Sequence, residues 1–229
     1  SSDLAKGDYL LFIDADAMIP GTAEAYITKW LPYVSKARVI CGGILYHKSP
    51  PGDPDKILRW KIGWKREQRK AGEREKHPYT LFSTFNVMID RTVFSKLRFN
   101  EELKQYGFED RLLSYQLKKA GIKILHIDNG LFHEGLESNK EFLNKTKLGL
   151  ENLSRLYDSV TDKRTFASTV RILRLYNRLA LFRLTLLLAG FYIRYKDKME
   201  IKLDSPNPSL ILFSLYKVCM FCTFREIHR

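Results

Sequence analysis

Two aspartates one residue apart, Asp14 and Asp16, close an apolar run in the stretch LLFIDADAMIP. In an extended strand residues i and i+2 face one side, so both carboxylates would converge at the strand's carboxyl end. Carboxylates held together repel unless a cation lies between them, and hard oxygen ligands suit Mg²⁺ or Mn²⁺, ions that bridge to substrate phosphates. The alternative is a turn, because Asp also ends strands and caps helices. Phe108-Glu109-Asp110 poses a similar choice just inside a predicted helix start. Its acids either complement the helix dipole or supply a general base for an attacking hydroxyl. His133 falls a few residues past a predicted strand end, where it is either surface or core decoration or a ligand on the same sheet edge as Asp16.

Elements that must position these groups can be read from periodicity. Asp8 to Ile13 has the continuous apolar pattern of a strand covered on both faces. Pro20-Gly21 breaks the chain, and Thr22 predicts the cap of a helix over AEAYITKWLPYV. Ala37 to Tyr46 predicts a second strand, and Ser49 to Asp55 a turn-rich linker. The charged segment Lys56 to His77 carries Trp60 and Trp64 on one helical face, either packing the core or offering aromatic faces for stacking amid cations. Leu81 to Ile89 predicts a third strand, followed by a short helix from Arg91. A helix after Gly107, with Leu113, Leu117 and Ala120 at helical spacing, stops at Gly121, and Ile122 to Ile127 predicts a fourth strand. From Asn139 the pattern is helical to the end except at Asp204 to Pro208. The expected organisation is therefore α/β over residues 1–138, followed by an all-helical appendage over 139–229.

With 229 residues, 45% of them hydrophobic and 28% charged, the chain can bury a core and has no low-complexity tract. A net charge of +13 favours phosphates, nucleic acid or an anionic membrane surface. No nucleic-acid recognition motif is present, so that partner is not expected. Cys41, Cys219 and Cys222 form no disulfide framework, which fits a reducing compartment. Cys219 and Cys222 have metal-like spacing but apolar surroundings, and are read as packing residues. Leu184 to Ile193 and Ser209 to Tyr216 are apolar but short of the roughly 20 residues that span a bilayer.

In combination and order, FIDADAMIP, FSTFNVMIDRTVF, GFEDRLLSYQLKKAG and HIDNGLFHEG resemble the GT-A glycosyltransferases, specifically the inverting nucleotide-sugar transferases of family 2. The resemblance covers residues 1 to about 135. It implies that Asp16 is the direct ligand of a divalent metal, Mn²⁺ or Mg²⁺. Asp14 would contact the ribose or share the metal, and His133 would be a third ligand. Asp110 would be the catalytic base and Glu109 would orient the acceptor or the base. Asp14-Ala15-Asp16, Thr84 and Asn86 would line the site for a nucleotide-diphosphate sugar, with Trp60, Trp64 and Glu109 on the acceptor side.

Relatives of this type normally begin with a strand resembling VSVIIPxYN, which this sequence lacks. Ser1 to Lys6 is read as the tail of the helix preceding the DxD strand, so about a third of the catalytic domain is expected to be missing and the first strand to have an exposed edge. This piece alone is then expected to have little activity. SNKEFLNKTKLGLENLSRLY and SPNPSLILFSLYKVCMF resemble C-terminal extensions of bacterial family 2 enzymes that build surface polysaccharides. That likeness implies a saccharide or lipid-linked acceptor and a position at the cytoplasmic face of the membrane. From Lys163 to Arg183 cations alternate with apolar residues and no acid intervenes. The segment is either a membrane-interface helix or one packed on the catalytic domain with a solvated basic face. A non-catalytic binding or assembly module that retains part of the fold is the competing functional reading.

Overall fold

Short apolar runs containing β-branched and aromatic residues build the central sheet of this computed structural model, in which residues 5–97 and 107–227 are described. In chain order its strands are β1 (Tyr9–Ile13), β2 (Ala17–Met18), β3 (Val39–Cys41), β4 (Ile44–Leu45), β5 (Asn86–Asp90), β6 (Ile124–His126) and β7 (Leu131–His133). Four of them form a mixed sheet in the order β1-β5-β3-β6, antiparallel except for the β3–β6 pair. The other three form a small sheet, β2-β7-β4.

Five short helices belong to the first half: α1 (Ala23–Thr28), α2 (Ile57–Ile62), α3 (Ala71–Glu75), α4 (Arg91–Lys96) and α5 (Glu109–Lys119). Period two sends Val39, Cys41, Val87 and Ile89 to one face of the larger sheet, against Phe94 of α4 and Leu113 and Leu117 of α5. Ile40 faces the other way, onto Tyr26 of α1 and Trp30. The result is an α/β arrangement with helices on both faces of a mixed sheet. Truncating a fully buried member such as Leu117 would cost roughly 2–5 kcal/mol.

Helices α6 (Asn139–Ser159), α7 (Lys163–Thr169), α8 (Arg171–Leu181), α9 (Thr185–Leu203) and α10 (Leu210–Ile227) follow. A capping box between Ser138 and Glu141 starts α6. α10 packs on α9, α6 and α8 through Phe213, Tyr216, Met220 and Phe221. Cys219 and Cys222 are fully buried in α10, and burial pushes their thiols up to about 11 and about 12, as packing residues require.

Contacts divide the chain into two units: Ser1–Lys48, Gly63–Asn100 and Asp110–Gly135 form the first, and Ser49–Ile62, Glu101–Glu109 and Leu136–Arg229 the second. The division thus falls three residues earlier than the expected 138, and two upstream segments join the helical unit. Hydrogen bonding explains one of these, since Leu58 N donates to Asn139 Oδ1 at 2.8 Å and Arg59 pairs with Glu137 at 3.4 Å.

Several expected elements are broken by local chemistry. The strand expected over 37–46 divides between the two sheets, because Gly43 at φ +99° turns the chain between β3 and β4. The strand expected over 81–89 begins only at Asn86. Pro32 confines the helix after Thr22 to α1 and a 3₁₀ turn over Leu31–Tyr33. The charged segment is not one helix: α2 passes into a π-helical turn, Gly63–Glu67, before α3 begins. β1 is an edge strand, so among its residues only Leu10 is buried and the expected coverage on both faces does not hold. Ala5 and Lys6 are irregular rather than helical, and Ser1 to Leu4 lie outside the described residues.

Candidate functional site

Asp14 and Asp16 come together by a turn and not by strand alternation. β1 ends at Ile13, Asp14 N donates to Phe85 O at 3.1 Å, and Ala17 N closes a turn onto Asp14 O at 3.1 Å. β2 then pairs with β7, placing Ala17 opposite His133. His133 therefore stands on a strand rather than in a loop. Its Nε2 lies 3.4 Å from Asp16 Oδ2, and its ring packs near Phe85 and Tyr46. Glu134 N donates to Asp16 O at 3.0 Å, so the same strand end grips the aspartate's backbone. Gly135 leaves space for the carboxylate, since a Cβ there would meet Asp16 Oδ2 at 2.0 Å.

Asp110 arrives from a different element. Gly107 and Phe108, at φ +97° and +73°, make a left-handed turn into α5. Phe108 is a non-glycine residue in that region, a conformation that costs of order 1 kcal/mol and is common at functional turns. Glu109 Oε1 accepts from Gly107 N at 3.0 Å and caps this turn. Asp110 is oriented by Thr84, whose Oγ1 donates to Oδ1 at 2.5 Å while its backbone N approaches Oδ2 at 3.4 Å. Partial burial first, then the negative charges of Asp110 and Asp16, hold the Asp14 carboxyl above the usual carboxylate range. Asp14 thus senses both acids, and Asp16 in turn contacts His133.

Arg111, the residue after Asp110, was not singled out by its sequence context, where it is one of 39 Lys and Arg residues. Its Nη1 donates to Thr80 O at 2.7 Å, and it lies in the field of Asp110 and Glu67. Desolvation lowers its pKa from the ordinary arginine value, but the guanidinium stays cationic and partly offsets the acids.

Asn86 has a structural task. It is buried, its amide donates to Gly43 O at 3.1 Å and Asn129 O at 2.8 Å, and its Oδ1 accepts from Tyr26 at 2.7 Å. The amide is spent on joining β3, β5 and the loop after β6. Trp60 is also buried, at 8% exposure, so its faces pack the helical unit instead of lying open to a sugar. Trp64 is half-buried in the π-helical turn of the other unit, with Lys65 Nζ 4.0 Å from its ring centre.

Among the described residues, no three His, Cys, Asp or Glu side chains form a ready enclosure for a metal ion. Asp14, Asp16 and His133 are nevertheless donor types that a divalent cation accepts, hard oxygens and an imidazole, and burial, then neighbouring negative charge, raises Asp14. Mg²⁺ commonly takes only one or two carboxylates and completes its shell with substrate phosphates and water. No family model, curated protein or solved structure matches the chain.

Proposed function

We propose that this chain carries the reaction site of a metal-dependent inverting glycosyltransferase of the GT-A, family 2 type. It would move a sugar from a nucleotide-diphosphate donor to a hydroxyl of a saccharide or lipid-linked acceptor in bacterial surface polysaccharide or glycolipid synthesis. The observation that carries the reading is that Asp14, in the turn after β1, lies in the field of Asp16 and of Asp110 from α5, while Asp16 contacts His133 of β7. Asp14 and Asp16, with His133, would hold Mn²⁺ or Mg²⁺. The bound cation would supply charge neutralisation for the departing diphosphate.

Asp110 receives the proton of the acceptor hydroxyl while that oxygen bonds to the anomeric carbon. The bond from this carbon to the diphosphate oxygen breaks, and its electron pair leaves with the nucleoside diphosphate. A single displacement inverts the anomeric centre. Thr84 keeps the Asp110 carboxylate aimed, and Asp14-Ala15-Asp16 forms the turn that faces the donor. Asn86 acts as a positioning residue for the strands beneath, and Glu109 supports the turn that delivers Asp110. A cytoplasmic location at the inner membrane face belongs to the same reading.

Isothermal titration of this chain with Mn²⁺ and a nucleotide-sugar turnover screen on the complete gene product that contains it test the proposal. Asp16→Ala is expected to abolish Mn²⁺ binding, while Asp110→Asn retains binding and loses roughly 10²–10⁴-fold in turnover. Turnover that survives Asp110→Asn, or metal binding unaffected by Asp16→Ala, refutes the assignment. Metal binding with no turnover in any screen would favour the non-catalytic binding module.

A further inference from the structure

The corner between α8 and α9 exposes side chains that a solvated helical pair would bury. Leu181 and Phe182 are 82% and 74% exposed, and Leu186, Leu187 and Ile193 are 68%, 67% and 67% exposed. These residues sit in the second unit around an irregular turn at Phe182–Leu184, where Arg183 has φ +56°. On α8, exposed Arg171, Leu175, Arg178 and Phe182 recur at intervals of four, three and four residues, a stripe along one face. Cation and hydrocarbon therefore alternate on that face. No Asp or Glu occurs from Lys163 through Lys196.

An apolar surface of this size on one corner calls for a partner, and its charge identifies one. A second copy of this chain would set the same arginines against one another across a symmetric interface, which like-charge repulsion disfavours. Anionic lipid supplies phosphates for the arginines and a hydrocarbon boundary for the leucines. Among the described residues no helix is long and apolar enough to cross a membrane, so the elements fit an interfacial position. We propose that the α8–α9 corner is an interfacial anchor for an anionic bilayer. Leu181, Phe182, Leu186 and Leu187 enter the headgroup–acyl boundary, and Arg178 and Arg183 pair with lipid phosphates. The anchor is argued from the exposed surface of the helical unit and deepens the membrane-face location of the proposed function, while its readout, vesicle binding, does not depend on turnover.

Sedimentation of the full chain with sucrose-loaded vesicles tests it, comparing phosphatidylcholine alone with phosphatidylcholine containing phosphatidylglycerol. Strong pelleting is expected only with the anionic vesicles at low ionic strength, and it should fall in high salt. Each of Arg178→Gln and Arg183→Gln should weaken binding roughly fivefold. The double change Leu181→Ser with Leu187→Ser should weaken it at least about tenfold. Both leucines are exposed, so circular dichroism should remain that of the parent. The three natural cysteines are buried, so a thiol introduced by Leu187→Cys can be labelled with an environment-sensitive fluorophore. That probe should brighten with anionic vesicles and be quenched by nitroxide lipids, while one placed by Lys202→Cys should not. Absence of pelleting at low salt, or pelleting that the double leucine change leaves intact, overturns the anchor. Self-association lost in that double variant, without vesicle binding, would assign the face to a second copy and also overturn it.

Discussion

Asp110 owes its orientation to one neighbour, and that dependence separates positioning from chemistry. Thr84 donates to Oδ1 at 2.5 Å and fixes the direction in which the carboxylate points. Thr84→Val is expected to lower kcat of the proposed transfer roughly tenfold with KM little changed, because a misaimed carboxylate is felt in the transition state and not in substrate binding. Thr84→Ser, which keeps the hydroxyl, should restore the rate. A rate loss that Thr84→Ser does not rescue would reduce Thr84 to a packing residue. Asp14 is raised through burial and neighbouring acids, so the folded state tolerates its ionised form poorly. A group raised in the folded state contributes stability at low pH that is lost as pH rises through its folded pKa.

Small strands and the glycine beside them set the scale of elements. β2, β4 and β7 are each two or three residues long, yet the β2–β7 pair fixes where Asp16 stands relative to His133. Gly135 completes that junction, because a methyl group there would overlap the Asp16 carboxylate. Gly135→Ala is expected to weaken Mn²⁺ binding by tenfold or more while the thermal midpoint changes little, since Asp16 is partly exposed and can swing outward. Unchanged metal affinity would place the ion elsewhere. Gly63 has a comparable role in the π-helical turn, where a Cβ would strike the Tyr46 ring at 2.1 Å, so that turn and Tyr46 are packed as one piece.

Acid sensitivity of the molecule should centre on His126, a core imidazole far from ordinary solvation. Burial, reinforced by Arg74, lowers its pKa from 6.5 to about 4. Its Nδ1 accepts from Arg74 at 2.9 Å and its Nε2 donates to Pro78 O at 3.1 Å, so the neutral ring satisfies both partners. Between those pKa values the unfolded chain binds the extra proton. The stabilisation is complete above pH 6.5 and is lost as pH falls toward about 4, by of order 3 kcal/mol in all. Urea midpoints should fall across that window, and His126→Asn, which cannot gain the proton, should flatten the decline. Equal slopes in the two proteins would move the acid sensitivity to the carboxylates.

Periodicity and capping chemistry are local, which is why β1, the N-cap at Thr22, the stop of α5 before Gly121 and the helical run from Asn139 were legible from the residue order. The types of the candidate site residues were equally legible, because Asp, Glu and His announce the chemistry they can do wherever they occur. Tertiary contact decided the rest. Asp14 and Asp16 meet through a turn closed by Ala17, and β7 is too short to show a period of its own. Gly42-Gly43 divides one apolar run between two sheets, and burial decides for Trp60 between the packing and stacking alternatives that the residue order left open. Arg111, Thr84 and Gly135 gained meaning only from what lies beside them. A side chain's chemistry belongs to the residue, whereas its field, its hydrogen-bond partners and the room left for it belong to segments tens of residues away.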